Sequence, residues 1–301
     1  MILRLLLLGA LVAGCREPQS APEFDGQAAL GYARTQVDFG PRIPGTEGHR
    51  LTAAWIDSVA RTRADSVTVQ AWTHVSHDGD SLPLRNILAS FNPGNPKRLL
   101  FAAHWDTRPR SDADTGSRAS LPIPGANDGA SGVAVLLAMA DALRANPPGI
   151  GVDLLFLDGE DYGFFPDTDV LIGSSYYAEN QLAPRPEFGI LLDMVGGAGS
   201  VFRREGFSLS AAPEVVEDLW STASRRGHGR YFVDENGGSI SDDHVPLQKG
   251  GIRMVDVIAD FGKGYSYPYW HTADDSIDKL SADVLGAVGD VMMAMVRQAD
   301  R

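Results

Sequence analysis

Three short stretches of the chain are apolar almost without interruption: residues 98–103 (RLLFAA), 152–157 (VDLLFL) and 188–192 (FGILL). Runs of this length and evenness read as strands buried on both faces. Residues 252–258 predict a fourth such strand. Residues 67–74 alternate like an exposed strand, and residues 85–91 predict another. Helical spacing falls between them. Residues 46–61 place Leu51, Trp55, Ile56 and Val59 on one stripe. Residues 132–144 form a helix that Pro147-Pro148 ends, and helices are predicted at 174–180 and 213–226. Ser281 is placed to cap a last helix with Val284, Val288, Val291 and Met295 on its inner stripe. The order argues one α/β domain. It is a three-layer sandwich around a mixed, mainly parallel sheet, with the early strands as an antiparallel edge. No boundary divides it.

Composition narrows the partners. The chain has 301 residues, 44% of them hydrophobic, and a net charge of −13. Nucleic acid is thereby disfavoured as a partner, since such binding calls for basic patches and no basic block is present. The first residues stand apart. Residues 1–14 (MILRLLLLGALVAG) have one Arg and then an apolar run too short to span a bilayer, followed by Cys15 and the polar stretch REPQSAPEFD. This reads as an export signal. The segment LVAGC resembles a bacterial lipobox, which implies cleavage before Cys15 and lipid attachment to its sulfur. An ordinary cleaved signal with an incidental Cys is the alternative. Cys15 is the sole cysteine, so no disulfide forms within the chain. The expectation is a signal peptide over 1–14, a lipid-anchored tether over 15–27 and a catalytic domain over 28–301. It would be held on a lipid bilayer in the bacterial cell envelope, outside the cytoplasm.

The chemistry gathers where the buried strands end. Residues 98–103 run into His104-Trp105-Asp106, 152–157 into Asp158-Gly159-Glu160-Asp161, and 188–192 into Asp193. In open α/β sheets ligands bind beyond the carboxyl ends of the strands. Asp128 lies in PGANDGASG just before a helix, and His271 in YPYWHTADD before the last one. Singly, each is a hydrogen-bonded loop residue or a helix cap. Together, several buried carboxylates would repel one another unless a cation compensates them, and imidazole with carboxylate suits zinc. The polar loop over 108–122 (RPRSDADTGSRASLP) reads as a solvated segment, with a place beside the site as the alternative.

The motifs AHWDTRP, PGANDGASG, LLFLDGEDYG, LLDMVGG and WHTADD resemble, in order, those of the zinc-dependent aminopeptidase and glutaminyl cyclase family. The resemblance runs from about residue 30 to the C-terminus and implies a zinc exopeptidase-like fold. It further implies that Asp128 bridges two metal positions, with His104 and Asp193 at one and Asp161 and His271 at the other. Asp106 would orient His104, Glu160 would be the catalytic base, and the Asp128–Gly129 peptide would be cis.

Two activities share these positions. Aminopeptidases of the family hold two zincs and hydrolyse the first peptide bond. Cyclases hold one catalytic zinc, at Asp128, Asp161 and His271, and convert the N-terminal glutamine of a peptide to pyroglutamate with loss of ammonia. DFGPRIPGTEGH (residues 38–49), SDDHVPL (residues 241–247) and TDVLIGSSYYAEN resemble the cyclases. That likeness implies a hydrogen-bonding role in the active site for Asp242 and a substrate-holding wall at Trp270, although Trp270 packed among Tyr267 and Tyr269 reads equally as plain aromatic packing. The chain departs from the common pattern at Asp161, where Glu is usual, and at Asp256, where animal cyclases carry His beside the substrate network. The Trp that follows their acidic pair has no counterpart; Phe164, Phe165 and Pro166 stand nearby. Cyclisation with one catalytic zinc is the leading reading. A two-zinc aminopeptidase is the alternative, and a zinc-binding lipoprotein without catalysis is the third; the presence of Glu160 argues against the last.

Overall fold

A computed structural model describes residues 24–164 and 169–301. The signal peptide, Cys15 and most of the tether fall outside them, as do Phe165 and Pro166. Helices α1 (Gly26–Asp38) and α2 (Glu47–Arg61) lead into strands β1 (Ser66–Val75), β2 (Ser81–Phe91) and β3 (Arg98–His104). Helix α3 (Ala130–Ala145), β4 (Gly151–Leu157), α4 (Ile172–Glu179) and β5 (Phe188–Asp193) follow. The last third holds β6 (Phe202–Arg204), α5 (Gly206–Ala211), α6 (Pro213–Arg225), β7 (Phe232–Asn236), α7 (His244–Lys249), β8 (Met254–Ile258) and α8 (Ala282–Ala299). No helix among the described residues is long and apolar enough to cross a membrane.

The central sheet has the order β1-β2-β4-β3-β5-β8. β1 and β2 pair antiparallel, as do β2 and β4, while β4, β3, β5 and β8 run parallel. This is the expected mixed sheet with an early antiparallel edge. The alternation of each buried strand splits its side chains between two cores. Leu99, Phe101, Val152, Leu154, Phe156, Ile190 and Leu192 join the core that holds residues of α1, α2, α3, α6 and α8. Leu100, Ala102, Leu155, Leu157 and Leu191 join the one that includes Tyr177 of α4 and Leu247 of α7. Two covered faces explain why the strands read as continuous apolar runs.

Several sequence expectations shift. Helix α1 begins at Gly26, and Phe24 is buried with its ring against Gly289 of α8, so the folded part starts ahead of residue 28. The last strand begins at Met254 rather than at residue 252. Ser281 occupies the N-cap position of α8, but its side chain makes no capping hydrogen bond. The short helices α5 and α7 and the small parallel β6–β7 pair carry too few residues to show a period. One close approach matters for the site: a Cβ at Gly132 would lie 2.1 Å from the Leu192 carbonyl, so glycine lets α3 press against the end of β5. That contact sets Asp128, just ahead of α3, beside Asp193.

Candidate metal centre

Parallel strands deliver the first residues. His104 ends β3, Asp193 ends β5, and Glu160 and Asp161 follow β4. Asp128 precedes α3, and its peptide bond to Gly129 is cis, as the resemblance implies. Asp275, from the WHTADD segment, accepts the backbone N–H groups of Asn127 at 2.8 Å and Asp128 at 3.1 Å, which fixes the loop. From the other side, the fully buried Arg42 donates to the carbonyls of Trp105, Pro124 and Gly125. The segment over 38–49 therefore braces the loop that carries Asp128.

The expected ligands form two triads that share Asp128. In the first, His104 Nε2 lies 3.2 Å from Asp128 Oδ1 and 3.1 Å from Asp193 Oδ1, the latter with hydrogen-bond geometry. In the second, His271 Nε2 lies 3.7 Å from Asp128 Oδ2 and 3.6 Å from Asp161 Oδ1. Those two separations exceed hydrogen-bond reach but suit side chains that share one ion. Each histidine is backed by a carboxylate: Asp106 Oδ1 stands 3.5 Å from His104 Nδ1, and Asp112 Oδ1 stands 3.2 Å from His271 Nδ1. Such outer carboxylates fix the ring and direct the opposite nitrogen's lone pair at a metal. His271 is itself held at φ 54°, in the left-handed region.

Electrostatics point the same way. Burial, reinforced by Asp128 and opposed by His271 and Arg108, pushes Asp161 up to about 7. Burial likewise raises Asp193 to about 7, against its hydrogen bond from His104. Burial disfavours protonated His104, yet Asp106, Asp128 and Asp193 outweigh it and hold the imidazole pKa well above its ordinary value. Burial and then Asp161 push Glu160 well above the carboxylate range. The cluster carries more negative charge than its own cations balance, which is the condition a bound divalent ion relieves. Two carboxylates and an imidazole in each triad fit zinc.

Two participants were not foreseen. Arg108 is buried and donates to Asp161 Oδ1 and, at 2.9 Å, to Asp112 Oδ1. The loop over 108–122 is thus not wholly solvated: its first residues wall the site, while its tip is exposed. The Arg-Pro after the end of a buried strand was the one available signal.

A cavity of about 240 Å³ opens over the second triad. Asp128, Glu160, Asp161, Asp193, Asp242 and His271 face it, with Ile240, Ile258, Phe261 and Trp270 as apolar lining. Glu160 belongs to neither triad, as expected of a base, and its carboxylate approaches His104 Nδ1 no closer than 3.9 Å. Trp270 packs on Phe261 and His271, while Tyr267 and Tyr269 pack edge-on against each other, and Trp270 also lines the cavity, so aromatic packing and a place on the cavity wall coexist. Asp106 lies beneath, accepting the N–H groups of Glu160 and Asp161. Asp256 is fully buried and does not line the cavity, so it is not placed to touch a substrate there.

The profile of peptidase family M28 matches residues 86–296. Aminopeptidase YwaD of Bacillus subtilis (strain 168) is 29% identical over 227 residues, which are 71% of this chain; the chain spans 44% of that relative's length. The crystal structure of Porphyromonas gingivalis glutaminyl cyclase superposes with a TM-score of 0.88 at 39% identity, covering 92% of this chain and 99% of that one. A Zn-dependent exopeptidase from Parabacteroides distasonis ATCC 8503 superposes with a TM-score of 0.87 at 38% identity, covering 91% and 98%.

Proposed function

The chain belongs to peptidase family M28, and from that premise we propose that it is a zinc-dependent glutaminyl-peptide cyclotransferase acting on peptides with N-terminal glutamine. The observation that carries this reading is the asymmetry of the two triads. His104, Asp128 and Asp193 approach one another to hydrogen-bonding distance and can satisfy one another. His271 has no such partner in Asp128 or Asp161 and faces them across a gap of 3.6–3.7 Å at the cavity floor. That favours one catalytic ion, held by Asp128, Asp161 and His271. Likeness to glutaminyl cyclase over nearly the full length of both chains supports the same choice.

Zinc bound by these three residues would supply Lewis-acid polarisation of the glutamine side-chain amide. The remaining work falls to the protein. The small cavity holds the substrate's α-amine and side-chain amide together, so attack of the amine on the amide carbon is intramolecular. Glu160, on the same wall, takes the proton that the amine sheds as the new C–N bond forms. It returns that proton to the amide nitrogen, which leaves as ammonia. Burial, Asp161 and Asp242 all raise the proton affinity of Glu160, which suits a group that must hold a proton between the two halves of the reaction. Ile240, Ile258, Phe261 and Trp270 limit the water that would otherwise compete.

A two-metal aminopeptidase is the second reading, favoured by the presence of the complete His104 triad. Incubation with Gln-Xaa and Leu-Xaa dipeptides, followed by mass, separates the two. Loss of ammonia without chain cleavage is the expected result for the Gln-Xaa peptide. Release of a free amino acid would replace the cyclase reading with the aminopeptidase one.

A further inference from the structure

We propose that Asp242, His244 and Asp256 form an additional cation site, distinct from the Asp128 centre, that takes one divalent ion of the zinc class. The three residues come from two elements. Asp242 and His244 belong to the SDDH segment at the start of α7, and Asp256 lies on β8. One ligand atom from each falls within 4.8 Å of the others. His244 and Asp256 are fully buried, and Asp242 is 4% exposed.

The side chains are arranged as if an ion joined them. Both carboxylate oxygens of Asp256 and Oδ2 of Asp242 have no hydrogen-bond partner among the described residues. Leaving that many buried acceptors unpaired is unfavourable, so a partner is called for. His244 alone does not provide it. Its Nδ1 stands 3.6 Å from Asp256 Oδ2, too far for a hydrogen bond and equal to the His271–Asp161 separation in the main centre. Its Nε2 stands 3.2 Å from Glu205 Oε2. Glu205 is anchored in turn by the backbone N–H groups of Phe207, Ser208 and Ile240 and by the Ser208 hydroxyl. A fixed carboxylate behind the far nitrogen of a histidine, with carboxylates before the near one, is the arrangement that orients metal-binding imidazoles. It recurs here with the two ring nitrogens exchanged relative to His271. Charge argues likewise: Asp242 and Asp256 stand with Glu205 around the one His244 imidazole, and all four side chains are buried. One imidazole with carboxylates selects zinc or a similar first-row ion over calcium or magnesium.

The consequence is mechanical. An ion there ties the segment that carries Asp242, a wall of the active cavity, to β8, the strand that pairs with the end of β5 and so with Asp193.

Zinc is the probe. Crystals of the wild-type protein equilibrated with zinc should give anomalous density between Asp242, His244 and Asp256 as well as at the Asp128 centre. In solution, Asp256→Asn and His244→Ala should each bind one equivalent fewer than wild type by elemental analysis, whereas Asp161→Asn, His271→Ala should retain this ion. A filled Asp128 centre with no density at the second place would overturn the proposal, as would an unchanged metal count in Asp256→Asn. That substitution keeps the side-chain shape, and the diffraction test needs no variant, so neither outcome hinges on whether His244→Ala folds. The metal count is independent of which reaction the enzyme performs.

Discussion

Asp106 Oδ1 accepts the backbone N–H of Glu160 at 3.0 Å while facing His104 Nδ1 at 3.5 Å, so one buried carboxylate ties Glu160 to the histidine of the first triad. Its other oxygen accepts the N–H of Asp161 at 3.1 Å. The loop after β4 is thus hung from the residue that follows β3. Asp106→Asn turns one acceptor into a donor aimed at an N–H or at the ring. Zinc affinity is expected to fall about 10- to 100-fold with the fold intact. A chelator competition assay reads this; wild-type affinity in the variant would show that Asp106 serves the loop alone.

Glu160 and Asp128 should separate chemistry from metal binding. Glu160 lies outside both triads, so Glu160→Gln should keep its zinc while kcat falls about 10²- to 10⁴-fold. Asp128 turns Oδ1 toward His104 at 3.2 Å and Oδ2 toward His271 at 3.7 Å. Asp128→Ala should therefore lose metal whether one position is filled or two. Near wild-type turnover in Glu160→Gln would remove the proton-transfer role assigned to it.

Much of this site was visible in the chain because of where the ligands sit. His104 and Asp193 end strands whose apolar runs are unmistakable, since those strands are covered on both faces. Arg108 and Asp112 were scarcely legible beyond the Arg-Pro that follows β3, because their segment is polar and only tertiary folding brings it to His271. Ala113 N–H donates to the His271 carbonyl and Asp114 accepts the Ala273 N–H, which stitches two loops distant in sequence. Helix α1 was missed for a different reason. Its buried face is Ala29, Ala33 and Gln36, small or polar residues that give the helical period little amplitude.

Removing the metal should make stability depend on pH with a definite sign. In the metal-free chain Asp161 and Asp193 have folded pKa values of about 7, raised above the 3.8 of an unperturbed Asp. Between those limits the folded state binds more protons than the unfolded state, so stability falls as pH rises. The raised His104 and His271 act in the same direction at higher pH. Asp128, lowered, already contributes fully above its unfolded value. Metal-stripped protein should therefore melt at a lower temperature at pH 8 than at pH 5, and zinc should restore more stability at pH 8. Melting curves in chelator across that range check it. A melting temperature that rises with pH would contradict the charge balance described for the site.

Trp270 offers the sharpest test of how the cavity holds its substrate. Its ring stacks on His271 with centroids 3.8 Å apart at 20°, and it packs on Phe261 at 4.9 Å. It also lines the cavity beside Glu160. If it serves as a substrate wall, removing it deletes apolar contact worth roughly 1.5–3 kcal/mol of binding. Trp270→Ala should then raise KM about tenfold or more with zinc content unchanged, and Trp270→Phe should recover most of the loss. If instead the ring chiefly braces His271, zinc affinity would fall together with kcat, and Phe would rescue both. Metal content and the KM-against-kcat split, measured on the same preparations, distinguish the two, because a wall acts on bound substrate and a brace acts on the ligand whether substrate is present or not.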